Sequence, residues 1–447
     1  MALKISISGI RGVVGEDLDA EVVARFAAAV GNMLPEGTVV VARDSRPSGP
    51  ALCRAVSAAL LSTGHDVIDA GILSTPGTEL LVQDTDAVGG IIITASHNPV
   101  QWNALKLLDA KGLFFSQEAM DELLERSLRP RQHAPALSHG SYREVLDADE
   151  RHISAICKLA MVEPEKIQRA GLKAVVDCTE GAGGAIMPRL LRRLGVETVE
   201  LNCNLSGHFP HDPEPRPEHL EELCALVAKE KADLGFAVDP DVDRLALVDA
   251  GGLAVSEERT LVVAADHVLS RKAGPLVVNL SSTLALDAVA KRHGVQIHRT
   301  AVGEANVVQR MLQVSAIVGG EGNGGVILPE LHPGRDAPLG AALVLSAVAE
   351  AGSLRACLQR YPDTSMVKAK LALRPEIDDP KRWEACLKEL GEGGQMDSTD
   401  GLKYSLGDRW VHLRRSNTEN ALRIIAEADT MAKASEMVES VRRSLDR

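Results

Sequence analysis

Ser96 stands in the segment Thr94-Ala95-Ser96-His97-Asn98-Pro99, directly after the apolar run Gly89-Gly90-Ile91-Ile92-Ile93. The run reads as a buried strand. A strand that ends abruptly in small, polar and proline residues presents one hydroxyl at the carboxyl edge of its sheet, where ligands of open α/β sheets gather. His97 and Lys106 lie close enough in sequence to act on that hydroxyl or on its phosphate ester. They are needed, because a serine hydroxyl is a poor nucleophile without a base or cation beside it. The competing reading of the Ser-His pair alone is a strand-ending turn capped by Ser96. Asp239, Asp241 and Asp243 alternate after the strand-like Leu234-Gly235-Phe236-Ala237-Val238. In an extended or tight loop their carboxylates can converge on one cation, and three hard oxygen ligands suit Mg²⁺. A solvated acidic turn is the alternative.

Two more loops repeat this layout. Ala316-Ile317-Val318-Gly319-Gly320 runs into Glu321-Gly322-Asn323-Gly324-Gly325, and Trp410-Val411-His412-Leu413 runs into Arg414-Arg415-Ser416-Asn417-Thr418-Glu419. The elements between them are repetitive. A strand at 39–42, a helix at 51–61 and a strand from Asp66 are followed by a polar connection at 129–140 and a helix from about Tyr142. A second α/β unit begins at Leu172, with a loop at 180–184 opening a helix that runs to Arg193. The proline-rich 208–217 segment fits neither a helix interior nor a central strand. A third unit pairs the strand 276–279 with a helix around 284–291. Strands alternating with helices predict mostly parallel sheets. Beyond about Asp363 the pattern changes to strands at 366–373, 410–413 and 421–426 and a final helix from about Thr430, a small α+β domain. The predicted division is 1–140, 141–250, 251–362 and 363–447.

The four loops, in this order, resemble those of the α-D-phosphohexomutases, the family of phosphoglucomutase, phosphomannomutase and phosphoglucosamine mutase. The resemblance runs from Ser8-Gly9-Ile10-Arg11-Gly12 to Arg423. It implies three similar mixed or parallel α/β domains plus a C-terminal α+β domain around a central cleft. It also implies that Ser96 carries a phosphoryl group, with Lys106 neutralising its oxygens, Arg11 as a further catalytic cation, and either Lys106 or His97 moving the proton. Mg²⁺ would be held by Asp239, Asp241 and Asp243 together with a phosphate oxygen on Ser96. Arg244, Glu321 and Asn323 would bind the sugar phosphate. Arg414, Ser416, Asn417 and Thr418 would clamp the distal phosphate, with Arg423 behind them. Pro240 stands where the family usually has glycine, Asn323-Gly324-Gly325 where many members have Ser-Gly-His, and Asn420 where proline is usual.

The implied reaction is reversible transfer of phosphate between C1 and C6 of a hexose through a 1,6-bisphosphate, with glucose or glucosamine 1,6-bisphosphate as activator. Thr94-Ala95-Ser96, Gln101-Trp102-Asn103-Ala104-Leu105-Lys106 and Arg415-Ser416-Asn417-Thr418-Glu419 are most similar to bacterial phosphoglucosamine mutases. Conversion of glucosamine 6-phosphate to glucosamine 1-phosphate is therefore expected, with a broad phosphomannomutase/phosphoglucomutase as the alternative. A phosphoserine phosphatase and a non-catalytic sugar-phosphate sensor are rivals from other classes.

Composition limits the partners. At 447 residues, with 45% hydrophobic and only 2% aromatic residues, the chain should form two to four domains with cores of Ala, Val, Leu and Ile. A formal charge of −13 argues against nucleic acid and acidic membranes; the small hexose phosphate partner is what the resemblance implies. The local remedy is a set of cations in or beside the loops: Arg11, Arg43, Arg46, Lys106, Arg244, Arg414 and Arg423. No apolar run is long enough to span a bilayer, and the N-terminus lacks the apolar region of a signal peptide. Seven scattered cysteines without a Cys-x-x-Cys spacing fit reduced thiols in a cytoplasmic protein; a monomer or homodimer is expected.

Overall fold

Alternate side chains of one strand feed two different cores. In the computed structural model, which describes residues 3–129, 132–416 and 420–446, Ile91 and Ile93 join one apolar cluster and Ile92 another. Val39 and Val41 against Val40 and Ala42 divide the same way on the neighbouring strand. Strands covered on both faces read as continuous apolar runs, which is why Gly89–Ile93 carries no polar residue until it ends beside Ser96.

The chain forms two units, Met1–Thr260 with Asn323–Arg355 and Leu261–Gly322 with Ala356–Arg447. The first holds a seven-stranded sheet ordered Lys4–Ser6, Gly9–Val13, Trp102–Asp109, Gly89–Ile93, Thr38–Arg43, Asp66–Ile72 and Tyr142–Glu144. Thr38–Arg43 runs parallel to both neighbours, whereas Trp102–Asp109 is antiparallel to Gly89–Ile93, so the sheet is mixed. That antiparallel pairing sets Ile92 opposite Lys106. A second sheet places Leu234–Val238 parallel to Lys173–Asp177 and antiparallel to Leu245–Asp249. The hairpin of Gly325–Leu328 and His332–Arg335 leads into helix Ala337–Ala351, whose residues from Ala337 to Val348 are all buried.

A helix was expected from about Tyr142. Instead Tyr142–Glu144 forms a short edge strand parallel to Asp66–Ile72, and the helix spans Ala148–Lys158. Asp69 fixes this edge by accepting from the Tyr142 hydroxyl at 2.7 Å and, through its carbonyl, from Val145 N at 3.0 Å. That partner lies far away in sequence, where local periodicity carries no trace of it.

The second unit contains Ile297–Thr300, Leu276–Asn279 and Val318–Glu321, parallel throughout and flanked by helices Ala285–His293 and Glu304–Val314. Its terminal part is an antiparallel five-stranded sheet ordered Ser365–Ala372, Ala421–Ala428, Arg409–Arg415, Leu402–Leu406 and Gln395–Asp397. Helices Pro380–Lys388 and Met431–Asp446 close that sheet's core, in which Trp383, Val411 and Ile424 are buried. Three α/β regions and an α+β terminal region are the expected architecture. All seven cysteines are free thiols. Among the described residues no helix is long and apolar enough to cross a membrane.

Candidate active site

The serine loop is built around a buried arginine. Arg46 donates from Nη2 to the carbonyls of Ser96 and Asn98, each at 2.6 Å, and from Nη1 to those of Pro99 at 2.7 Å and Trp102 at 3.0 Å. Its Nε meets Asp44 Oδ2 at 2.9 Å, so all five guanidinium N–H groups are used. Asp44 Oδ2 also accepts from Thr94 Oγ1 at 2.7 Å, and that hydroxyl accepts from Ser96 N at 3.0 Å. Together these contacts hold Ser96 at φ +50°, a left-handed backbone that a serine adopts only when its surroundings impose it. Arg11 Nη1 donates to Asn98 Oδ1, bracing the outer side of the same loop.

The acidic loop is the connection of a hairpin, because Val238 pairs directly with Leu245. Asp239 Oδ1 accepts from the backbone N–H of Asp243 at 3.1 Å and of Arg244 at 3.2 Å, folding the loop back on itself. Val242, at φ +66°, takes the strained corner. Pro240 is accommodated by glycine on the facing loop: a Cβ on Gly181 would lie 2.6 Å from Pro240 Cα. The result brings one oxygen from each of Asp239, Asp241 and Asp243 within 4.8 Å of one another. Asp241 Oδ1 and Asp243 Oδ1 are buried with no hydrogen-bond partner among the described residues. Buried carboxylate oxygens without donors are costly, and a hard divalent cation answers that need, so the donor set fits Mg²⁺.

The two loops meet. Ser96 Oγ donates to Asp239 Oδ2 at 3.0 Å, and Lys106 Nζ reaches Asp241 Oδ2 at 2.6 Å and Asp243 Oδ2 at 3.4 Å. His97 Nδ1 lies 3.4 Å from Ser96 Oγ, and Arg244 Nε lies 3.6 Å from Asp243 Oδ1. Two partners escaped the sequence reading. Arg335 Nη2 donates to Asp243 Oδ2 at 2.6 Å, and Thr75 Oγ1 donates to Asp241 Oδ2 at 2.8 Å. A capping serine followed by an early proline, Ser74-Thr75-Pro76, is the local pattern that could have drawn attention to Thr75.

Burial and charge push these groups apart in acidity. Burial, reinforced by Asp243 and Asp241, raises the Asp239 carboxyl well above the usual carboxylate range. Burial also acts against charge on Asp241, but the Lys106 ammonium outweighs it and keeps that carboxyl low. Lys106 would itself be depressed by burial, yet Asp241 and Asp243 hold it above an ordinary lysine, and so charged. Loss of hydration, followed by the Arg244 and Arg11 guanidiniums, pushes His97 well below the ordinary imidazole value, and so neutral.

The remaining sequence-predicted residues divide between the units. Asn323, in the first, accepts at Oδ1 from Gly325 N at 3.2 Å. Gly324, at φ +90°, lets this turn lie on Leu245, whose carbonyl oxygen a Cβ would approach to 2.4 Å. In the second unit, Glu321 Oε1 accepts from Asn279 Nδ2 and Gly303 N, both at 2.9 Å. Asp400 Oδ2 accepts from Arg414 Nε and from Val302 N, again at 2.9 Å, tying Arg414 to the loop beside Glu321. Arg423 pairs with Arg414 across the sheet, and Ser416 N closes its loop on Ala421 O at 2.8 Å. Asn417 and Thr418 lie outside the described residues.

Sequence profiles of phosphoglucomutase/phosphomannomutase match along the chain: α/β/α domain I over residues 3–133, α/β/α domain II over 150–252, α/β/α domain III over 256–364 and the C-terminal domain over 368–444. The chain is 36% identical over 441 residues to a phosphoglucomutase/phosphomannomutase of Thermococcus kodakarensis, covering 96% of each. It is 35% identical over 450 residues to a probable phosphoglucosamine mutase of Methanopyrus kandleri, covering 98% of each. A crystal structure of a phosphoglucomutase/phosphomannomutase family protein from Burkholderia thailandensis superposes with a TM-score of 0.86 at 28% identity, over 99% of this chain and 98% of that one.

Proposed function

This chain belongs to the α-D-phosphohexomutase family, and from that premise we propose that it interconverts glucosamine 6-phosphate and glucosamine 1-phosphate in the cytoplasm. The observation that carries the catalytic assignment is the meeting of the Ser96 hydroxyl with Asp239 beside Lys106 and the other two carboxylates. The domain division at 1–140, 141–250, 251–362 and 363–447 belongs to the same reading.

Ser96 is the phosphoryl carrier. Its Oγ–P bond breaks as a new P–O bond forms to a hydroxyl of the bound monophosphate, giving a 1,6-bisphosphate. The bisphosphate turns end for end and returns its other phosphoryl group to Ser96 Oγ. Lys106, held as an ammonium, offers positive charge and a proton to the departing serine oxygen. His97, held neutral, takes the proton of the sugar hydroxyl. Groups whose surroundings drive their acidities apart suit such paired roles. Mg²⁺, when bound by Asp239, Asp241 and Asp243, supplies Lewis-acid stabilisation of charge on the transferring group. Arg11 and Arg46 keep the serine loop in position, and Arg244 faces the sugar phosphate.

Glu321 and Asn323 recognise the sugar, and Arg414, Ser416, Asn417, Thr418 and Arg423 hold the phosphate that is not reacting. Glucosamine, glucose and mannose phosphates assayed in parallel, with a 1,6-bisphosphate activator, test the substrate. The amino sugar should give the highest kcat/KM. Equal values for glucose and mannose phosphates would assign the broad phosphomannomutase/phosphoglucomutase activity instead.

A further inference from the structure

Behind the acidic loop lies a second buried cluster that takes no part in the chemistry above. His332 meets a carboxylate at each ring nitrogen: Glu79 Oε2 at Nδ1 and Asp336 Oδ2 at Nε2, both at 3.0 Å. His152 Nε2 reaches the same Asp336 oxygen at 2.7 Å. All four side chains are buried. A carboxylate at each side favours the imidazolium form of His332: burial opposes that charge, but Asp336 and Glu79 raise its pKa to about 10.

The cluster sits between the two outside supports of the cation loop. Glu79 lies one turn along helix Thr75–Asp84 from Thr75, which binds Asp241 through both its amide, N to O at 2.9 Å, and its hydroxyl. His332 and Asp336 flank Arg335, which holds Asp243, and the adjacent Ala337 N donates to Val242 O at 3.2 Å. Gly334 shows that the Glu79 contact is built into the hairpin, since a Cβ there would come within 1.9 Å of Glu79 Oε2. A larger residue there would have to displace the carboxylate.

Resting on the functional reading above, we infer that Glu79, His332 and Asp336 are positioning residues that lock Thr75 and Arg335 onto the Asp241–Asp243 segment and thereby set its affinity for a divalent cation. The cluster could instead be a metal-ligand set, since His152, His332 and Asp336 each offer an atom within 4.8 Å of the others. The hydrogen bonding favours the strut. A metal-bound imidazole almost always donates its other N–H, whereas neither His152 Nδ1 nor His332 Nδ1 makes a hydrogen bond among the described residues, the latter lying beside Glu79 Oε2 as an ion pair only.

Direct Mn²⁺ binding, read from the loss of the free-ion paramagnetic resonance signal, tests this on the full-length protein. Glu79→Ala should weaken binding roughly 10- to 100-fold, the usual scale for losing a group behind a metal ligand. Glu79→Gln keeps shape and an acceptor and should lose less, roughly threefold to tenfold. Gly334→Ala should act like Glu79→Ala by displacing the carboxylate. In the same variants KM for the hexose phosphate should change less than about threefold, since no sugar contact is touched. Glu79→Gln, the mildest change, decides the matter if the others do not fold: Mn²⁺ affinity within twofold of wild type would overturn the inference. Stoichiometric zinc in the purified protein, lost in His152→Ala, would overturn it too, by making the cluster a metal centre. Failure of the functional reading looks different. In that case wild type would bind no Mn²⁺, or Asp241→Asn would bind it as well as wild type.

Discussion

Arg414 and Arg423 stand opposite each other on neighbouring antiparallel strands of the terminal sheet, paired Cα to Cα. Directly opposed residues share a face, and like charges there are destabilising. Asp400 takes Arg414 Nε at 2.9 Å and orients the guanidinium. A phosphate dianion lying against both would gain charge-assisted hydrogen bonds from two guanidiniums.

Arg414→Ala should therefore raise KM for the hexose monophosphate roughly tenfold to a hundredfold, the loss of a contact of about 1.5–3 kcal/mol. It should also release 1,6-bisphosphate into solution, because a loosely held intermediate leaves before it turns, and added bisphosphate should partly restore the rate. Steady-state kinetics with quantification of free bisphosphate checks this. Unchanged KM with no extra bisphosphate would remove Arg414 from the clamp.

Asp241→Asn should lower kcat by more than it raises KM, since cation stabilisation is strongest as charge redistributes in the transition state. Chelator-treated wild type should be inactive and recover with Mg²⁺. Full activity in metal-free buffer would count decisively against a cation on these carboxylates.

The acid limb of the pH–rate profile should belong to His97. Its pKa is lowered from 6.5, so the neutral, proton-accepting form persists below the ordinary histidine range and the rate falls only as pH drops through that lowered value. His97→Gln should abolish the limb. Lys106→Ala should cut kcat by roughly 10²–10⁴, the scale of general acid catalysis, with the limb retained. Persistence of the limb in His97→Gln would hand the proton to another group.

His332 makes a separate prediction about stability. Its folded-state pKa is raised from 6.5 to about 10, so its contribution is complete below pH 6.5 and is lost as pH rises through about 10. The melting-temperature gap between wild type and His332→Gln should be widest near neutral pH and below, and narrow toward pH 10. Melting curves across that range measure it; a constant gap would mean that His332 is neutral in the folded protein.

The groups that meet at Ser96 were legible where sequence neighbours do the work. Ser96, His97 and the three aspartates sit at strand ends, and a short loop cannot separate them far. Lys106 was legible because an antiparallel return strand carries it back to the same edge. The supports were hidden because each crosses the chain: Arg335 reaches Asp243 over 92 residues and Thr75 reaches Asp241 over 166. Arg46 was visible only as a nearby cation, since nothing local says that its donors will satisfy four carbonyls of a loop some 50 residues on. The edge strand at Tyr142–Glu144 was missed for the same reason, its partner being Asp66–Ile72.

Where the phosphoryl group resides is the most direct test. Protein equilibrated with a hexose 1,6-bisphosphate should be analysed by intact mass and peptide mapping, alongside Ser96→Ala. One phosphoryl group should map to Ser96, disappear on incubation with excess hexose monophosphate, and be absent from Ser96→Ala, whose turnover should fall by several orders of magnitude with the fold intact. A phosphoryl group found reproducibly on another residue, with Ser96→Ala still active, would contradict the account.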